Sequence, residues 1–508
     1  RSTAATVVAC LSAAVLSISP GTCSAQIGNP FPVNQYTNQS QTAPDVALAA
    51  DGSFVVVWES DGQDGSYQGV YARAFDSSGT PRGNELQVNQ YATGWQSSPS
   101  VSMNATGGFV VAWESESEEA SEVFARLYGA GGSPAGAEFR VNQYDADTQG
   151  APDVAMNATG DFVVVWQSYE QDSSYYGVYA RKYDRRGVPQ LDEFRVNVGS
   201  NLNQRSPSTD ITPAGTFVVT WESEGQDGSR EGVYARLYSP VCFPAGSEFR
   251  VNQYYPDSQG APSVAMDTTG NFVVVWQSMA QDRSDNGVYG RRYNVRGDAL
   301  GDEFRVNQYT QGNQGAPRTT MNGSGMFAVV WQSEGQDGDG DGVYGRLYDD
   351  GGAPLGDEFR VNAYTAGTQG LPSAGMDDAG GFAAAWTSEG QDGSEHGVFA
   401  TVEQGGLWAG AASLPGSWKW LSWFGFFHGP IQSWIYHLEH GWMYAAGSAA
   451  NDIWLYTPDM SWLWTGYGAY PYLFRFQDAA WLYYVRGTTG PRWFFNLSTG
   501  AWETVWTP

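Results

Sequence analysis

Most of the side chains in this sequence that could do chemistry are carboxylates. The 508 residues include 54 Asp and Glu against 26 Lys and Arg, which gives a formal net charge of −28. The densest acidic run is Asp337-Gly-Asp339-Gly-Asp341. Hard cations bind carboxylate and carbonyl oxygens, so Asp337, Asp339 and Asp341 predict a calcium site. That site would be weak, because the twelfth position of an EF-hand loop is occupied by Tyr348 instead of Glu. The alternative is a solvated acidic face without bound metal.

Catalytic constellations are not evident in the sequence. Only four His are present, and His437 and His440 flank Glu439 in a spacing that favours a turn over a metal site. The acids occupy equivalent positions of a repeat, whereas one catalytic centre should break that repeat. A sialidase-like site would need clustered arginines, but Arg73, Arg126, Arg181, Arg236, Arg291 and Arg346 recur with the repeat, and we expect them to pair with neighbouring acids. The sequence therefore predicts no enzyme and no catalytic residue.

A tryptophan with a period of about 55 residues organises most of the chain. Each unit predicts four short strands: Pro152–Met156, a continuous apolar run at Phe162–Trp166, an alternating strand at Gly177–Tyr183, and Glu193–Asn197. Four strands joined by short turns form one blade of a β-propeller. Seven such units predict seven blades, marked by Trp58, Trp113, Trp166, Trp221, Trp276, Trp331 and Trp386.

The two ends of the repeat region predict how the ring closes. The seventh unit ends near Val402 without its fourth strand, and an extra copy of that strand lies at Gly28–Asn34. We expect this segment, through Phe31 and Val33, to complete the seventh blade and cover its exposed edge.

The repeat resembles the VWxSxGQDGxxxGVYxRxY repeats of large secreted bacterial proteins, some of which accompany calcium-binding toxin-type repeats. The resemblance covers about residues 27 to 402 and implies the propeller fold, without implying an activity.

Residues 407–508 differ in composition from the repeats, since they hold 13 of the 21 Trp and are nearly neutral. Aromatic pairs recur about every 20 residues across polar turns, which predicts an array of β-hairpins. The stretches PRWFFNLSTGAW and YPYLFR resemble aromatic C-terminal modules of surface proteins from Verrucomicrobia. Some of these rings must form the module's own core, and the rest would form an adhesive patch. The candidates for assembly or ligand binding are Trp434, Trp442, Trp454, Trp462, Trp481, Trp493 and Trp502.

Residues 1–25 read as a secretory leader with a small-residue cleavage site at Cys23-Ser24-Ala25, or as a retained apolar segment. The predicted organisation is thus 1–25, a propeller at 26–406 and a hairpin module at 407–508. Cys242 would be the lone thiol of the mature chain.

The charge and composition of the chain limit the classes of partner that it is expected to bind. A strongly acidic surface repels nucleic acid and anionic membranes, and no segment is long and apolar enough to span a membrane. We expect an extracellular or cell-surface, non-enzymatic structural protein that adheres and assembles with itself into a fibre or layer. The alternative is a lectin-like propeller that binds glycans or other cell-surface components. Calcium is the only cofactor expected.

Overall fold

The structure is a computed structural model that describes residues 29–116, 120–199, 202–403, 412–414, 418–421, 424–431, 434–449, 452–466 and 469–506. Every regular element in these ranges is a β-strand, which confirms the predicted all-β fold. No described segment forms a helix with the length and apolar character needed to cross a membrane. The segment 1–25 and the boundary at 406–407 lie outside the described residues.

The strands are numbered β1 to β39 in chain order, beginning with β1 (Phe31–Pro32). Blade 1 contains β2 (Gln41–Leu48), β3 (Phe54–Asp61), β4 (Gln68–Phe75) and β5 (Leu86–Gln87). Blade 2 contains β6 (Gln96–Met103), β7 (Phe109–Glu116), β8 (Ser121–Tyr128) and β9 (Phe139–Arg140). Blade 3 contains β10 (Gln149–Met156), β11 (Phe162–Tyr169), β12 (Tyr176–Tyr183) and β13 (Phe194–Arg195).

Blade 4 contains β14 (Gln204–Ile211), β15 (Phe217–Glu224), β16 (Glu231–Tyr238) and β17 (Phe249–Arg250). Blade 5 contains β18 (Gln259–Met266), β19 (Phe272–Met279), β20 (Asn286–Tyr293) and β21 (Phe304–Arg305). Blade 6 contains β22 (Gln314–Met321), β23 (Phe327–Glu334), β24 (Asp341–Tyr348) and β25 (Phe359–Arg360). Blade 7 contains β26 (Gln369–Met376), β27 (Phe382–Glu389) and β28 (His396–Glu403).

The repeated Trp holds neighbouring blades together. Trp221 of blade 4 is fully buried, and it belongs to one apolar cluster with Val163 and Val165 of blade 3. The second strand of each blade is buried on both faces, because blades cover it on either side, and this explains its continuous β-branched run. The seven-bladed propeller predicted from the Trp period is confirmed.

Blade 7 takes its fourth strand from the start of the described chain. The sheet order is β1-β28-β27-β26, and Phe31 lies opposite Ala400 in an antiparallel pair. The N–H of Val33 extends this pairing with a 2.9 Å bond to the Val398 carbonyl, and the Val33 side chain is fully buried.

The C-terminal region forms one continuous antiparallel sheet of 11 strands in sequence order. The predicted array of β-hairpins is confirmed, and pairs such as Tyr444↔Tyr456 join each hairpin to the next. Its core contains Ile435, Met443, Leu455 and Leu482. Its strands are β29 (Ala412–Leu414), β30 (Trp418–Leu421), β31 (Gly425–Ile431), β32 (Trp434–His437), β33 (Gly441–Ala449), β34 (Asp452–Thr457), β35 (Ser461–Thr465), β36 (Tyr472–Arg475), β37 (Ala480–Tyr484), β38 (Arg492–Asn496) and β39 (Ala501–Val505).

Candidate functional site

The repeated Gln-Asp loop joins blades 1, 3, 4, 5 and 6 to the segment that precedes each of them. In blade 1 the Gln63 side chain accepts from the Ser60 hydroxyl at 2.7 Å and donates to Glu85 at 2.6 Å. Glu85 also accepts the backbone N–H groups of Gln35 and Tyr36, at 2.6 and 3.2 Å. The same Gln-to-Glu bond recurs at Gln171–Glu193, Gln226–Glu248, Gln281–Glu303 and Gln336–Glu358. These contacts give the repeated motif a structural role.

The loop aspartates are partly committed to turns and ion pairs. Asp64 accepts the N–H of Ser66 at 3.0 Å, which closes a local turn, and Asp172 makes the same bond with Ser174 and pairs with Arg195 at 3.1 Å.

The three aspartates proposed for calcium have separate partners. Asp339 accepts the N–H of Gly367 at 3.2 Å, Asp341 accepts the Gln332 amide at 2.8 Å, and Asp337 lies 3.3 Å from the Asn362 amide. Within the described ranges, no three His, Cys, Asp or Glu side chains are grouped so that they could hold a metal ion. The calcium site therefore stays a prediction without support from this geometry.

The recurring arginines bind backbone instead of acids. Arg181 donates to the Val141 carbonyl of the preceding blade at 2.9 Å, and its guanidinium lies 5.7 Å from the centroid of the Tyr183 ring. Arg73, Arg126, Arg236, Arg291 and Arg346 repeat this contact with Val33, Val88, Val196, Val251 and Val306. The expectation that they pair with neighbouring acids is wrong, because each guanidinium donates to the carbonyl of the Val that follows the fourth strand of the preceding blade.

The first strands of all seven blades surround a central channel of about 620 Å³. Each first strand contains a β-bulge before its Pro, and the residue there has a positive φ in every blade, for example 49° at Ala43 and 50° at Leu371. Bulges re-aim side chains, and here they bring the residue after Pro to the channel wall. That residue is Asp45, Ser100, Asp153, Ser208, Ser263, Arg318 or Ser373, in blade order.

The channel wall is held by bonds from one blade to the next. Asp45 accepts the N–H of Val101 at 2.7 Å and the Ser373 hydroxyl at 2.6 Å, so it joins blades 7, 1 and 2. Asp153 likewise accepts the N–H of Thr209 at 2.7 Å and the Ser100 hydroxyl at 2.8 Å. Both carboxylates thus support the wall and also face the channel.

Burial changes the acidity of the channel carboxyls. Loss of hydration raises the pKa of Asp45 and Asp153, although hydrogen bonds to both groups oppose the shift. Burial raises the pKa of Asp210 to about 7, while its bond from the Met266 N–H opposes this. The channel therefore contains carboxyls that hold a proton more readily than exposed ones, together with the single guanidinium of Arg318.

Sequence reasoning missed this wall. The signal was the residue after the repeated Pro, which changes among Asp, Ser and Arg while its surroundings repeat.

The outward face of the C-terminal sheet is almost wholly aromatic from β32 to β39. Neighbouring rings pack at right angles across strands, as in Trp434–Tyr444 at 5.6 Å and Trp464–Trp481 at 5.9 Å between centroids. Of the seven predicted Trp, six are between 36% and 58% exposed, and Trp454 is half-buried. We call this surface the aromatic face; it also includes Tyr436, Tyr444, Tyr456, Trp464, Tyr472, Phe474, Tyr483 and Phe495.

His437 and His440 are buried at a turn of this sheet. The Nδ1 atom of His437 accepts the N–H groups of Glu439 and His440 at 3.2 Å, so Nε2 carries the proton and donates to the Phe424 carbonyl at 2.8 Å. Burial lowers the pKa of His437 to about 4 and that of His440 well below its usual range. The predicted turn role agrees with these contacts.

No family model matches this chain, and no curated protein matches it. Solved structures do resemble it. A protein of unknown function from Dyadobacter fermentans has a TM-score of 0.46 and 8% identity, covering 75% of this chain and 99% of its own. A polysaccharide lyase gives 0.45 and 9%, covering 76% and 94%. The β-propeller domain of a protease from Pyrococcus furiosus gives 0.42 and 10%, covering 74% and 96%.

These comparisons correct one prediction. Glycoside hydrolases and a polysaccharide lyase are among the structures similar to this chain, so the prediction that the protein is not an enzyme is wrong. The prediction rested on the expectation that one catalytic centre would break the repeat. At this level of identity the likeness concerns the fold alone and assigns no reaction to the chain.

Proposed function

We propose that this is an adhesive protein of an extracellular surface, which assembles with itself into a fibre or layer through its C-terminal sheet. The observation that carries the proposal is the aromatic face. It combines many partly exposed rings on one side of one sheet, and none of its members is charged. Contiguous apolar surfaces of this kind mark interaction sites, because leaving them in water is unfavourable.

The ends of the same sheet support assembly. In the described residues β39 pairs only with β38, and β29 pairs only with β30. An unpaired strand edge is a template for another strand. Contact between one copy's β39 and another's β29 would join unlike surfaces, and such a contact extends into a filament when it does not close on itself.

The test uses the full chain with three substitutions on the aromatic face, Trp442→Ser, Trp462→Ser and Trp481→Ser. We expect the natural chain to form large particles in light scattering and ordered assemblies in electron microscopy, and the triple variant to stay monomeric. The matched control is Trp95→Ser, because Trp95 is also exposed, at 41%, but lies in the propeller. A natural chain that stays monomeric at high concentration would contradict the proposal.

Glycan binding is a second candidate, favoured by the absence of charge on the aromatic face. Aromatic rings can stack on the C–H surfaces of sugars, and an uncharged platform suits a neutral polysaccharide. Sedimentation with an insoluble neutral polysaccharide tests it: binding by the monomeric natural chain, lost in the triple Trp variant, would favour adhesion to glycan over self-assembly.

A further inference from the structure

The channel wall contains one break in a ring of repeated hydrogen bonds. After the bulge, each first strand directs one backbone N–H towards the preceding blade. At six of the seven junctions this N–H donates to the side chain that follows Pro in that preceding blade. The donors and acceptors are Val46–Ser373, Val101–Asp45, Val154–Ser100, Thr209–Asp153, Val264–Ser208 and Thr319–Ser263, with distances from 2.7 to 3.3 Å.

The junction between blades 6 and 7 is different, because Arg318 occupies the acceptor's position. A guanidinium has only donors, so it cannot accept the N–H of Ala374. No partner for that N–H is found within the described residues. Two kinds of donor therefore meet where the other junctions pair a donor with an acceptor.

Arg318 is itself open to the channel. Its side chain is exposed and lines the cavity, and it donates a long bond of 3.4 Å to the neighbouring Pro317 carbonyl. None of the ion pairs found in the described part of the chain includes it. A guanidinium in this setting is free to bind an oxyanion with its planar pair of N–H groups.

The neighbouring groups add further donors. The Ser263 oxygen is occupied as an acceptor by the Thr319 N–H at 3.1 Å, which leaves its hydrogen available. The Ser373 hydroxyl, by contrast, is committed to Asp45. Burial raises the pKa of Asp45 and Asp153 and the charge of Arg318 lowers it, so both carboxyls lie within electrostatic reach of the guanidinium. Asp45 already accepts bonds from the Val101 N–H and the Ser373 hydroxyl, and Asp153 accepts three bonds, so neither carboxyl forms an ion pair with Arg318 in the described residues.

We propose that the guanidinium of Arg318 and the N–H of Ala374 bind the carboxylate of a hydroxylated organic acid of sugar-acid size in the propeller channel. The cavity of about 620 Å³ is large enough for such a molecule. The carboxylate supplies the acceptor that this junction lacks, and the ligand's hydroxyl groups can accept from Ser263. This site is independent of the aromatic face and of assembly.

The test is titration calorimetry of the full chain with glucuronate, with glucose as the uncharged match. We expect glucuronate to bind and glucose not to bind. The variant Arg318→Ser carries the residue that blades 5 and 7 have at this position, and we expect it to weaken glucuronate binding at least about tenfold. The control Arg296→Ser removes the same charge from an exposed turn and should leave binding unchanged.

Stability supplies a second readout, because Ser at position 318 can accept the Ala374 N–H. Arg318→Ser should therefore raise the melting temperature of the propeller by roughly 1 °C while it weakens glucuronate binding. The reverse change, Ser263→Arg, should remove the acceptor of the Thr319 N–H at the adjacent junction and lower the melting temperature by a similar amount. Equal binding of glucose and glucuronate, unchanged affinity in Arg318→Ser, or a lower melting temperature in that variant would each overturn the proposal.

Discussion

At the scale of single residues, the propeller tolerates Asp, Ser and, once, Arg at the position after the repeated Pro. Ser and Asp can replace one another at six of the seven positions, because the side-chain oxygen of either residue accepts the N–H of the next blade. Cys242 shows the limit of this tolerance. It has a φ of 63° at a turn where blades 1, 2, 3, 5 and 6 have Gly, for example Gly187 with a φ of 79°. Its burial in the cluster between blades 3 and 4 offsets part of the backbone cost.

The raised pKa of Asp210 predicts that the stability of the propeller depends on pH. Its pKa is raised by burial from 3.8 to about 7, so between these values the folded chain keeps a proton that the unfolded chain releases. The free energy of unfolding should therefore fall as the pH rises through this range, by up to roughly 1.4 kcal/mol per pH unit. Asp210→Asn, which keeps an acceptor for Met266, should remove this slope.

Calorimetric melting of both proteins at pH 5 and pH 8 checks the prediction. The control Asp210→Ala carries the residue of blades 1, 3 and 5, and it should lose the slope and also the bond from Met266. Parallel pH profiles for the natural chain and Asp210→Asn would contradict it.

The lowered pKa of His437 predicts the opposite pH dependence for the stability of the C-terminal sheet. Burial lowers its pKa from 6.5 to about 4, so the unfolded chain binds a proton that the folded chain excludes. Stability should fall as the pH decreases from 6.5 towards 4, by up to roughly 1.4 kcal/mol per pH unit. His440 acts in the same direction. Urea unfolding followed by Trp fluorescence measures this, and His437→Gln should flatten the profile, whereas His396→Gln in the propeller should not.

At the scale of elements, the sequence predicted the structure where a pattern repeats. It did not predict the positions where one residue adopts an unusual backbone conformation. The Trp period and the run at Phe162–Trp166 predicted the blades, since a strand covered on both faces must be apolar throughout. The bulge before Pro was not predictable, because the residue with positive φ is Ala, Ser or Leu, and none of these favours that conformation. The channel site follows from the bulge, so it was missed with it.

The role of strand β1 in closing the ring can be tested by comparing two phenylalanines that occupy the same position in different blades. Phe31 packs 5.5 Å from the Phe75 ring, and Phe194 of blade 3 packs 5.4 Å from the Tyr238 ring. Phe31→Ala and Phe194→Ala should each cost about 2–3 kcal/mol of packing. Only Phe31 also fastens the ring, so its variant should unfold faster in stopped-flow experiments. Equal unfolding rates would show that β1 contributes packing alone.

At the scale of the whole molecule, the acidic charge and the aromatic face lie in different regions of the chain. The net charge of −28 belongs almost entirely to the propeller, because residues 407–508 contain five acidic and four basic side chains. The sequence alone predicted the hairpins and the outward position of alternate aromatic rings, since paired aromatics across polar turns indicate hairpins. The continuity of the face did require one, because it depends on how each hairpin pairs with the next.

This separation predicts how salt affects assembly. Copies that meet through an uncharged aromatic face also bring their acidic propellers closer, and that repulsion extends about 30 Å at 0.01 M salt but about 8 Å at 0.15 M. Assembly measured by light scattering should therefore be slow at low ionic strength and accelerate as sodium chloride is added. A lysine in the face, as in Trp502→Lys, should slow assembly at every salt concentration, because charge would then be buried in the contact. Glu395→Lys, which changes the charge of the propeller without touching the aromatic face, should instead shift the salt dependence to lower concentration. If added salt dissolves the assemblies, ion pairs hold the copies together, and the contact lies on the acidic loops of the propeller instead of on the aromatic face.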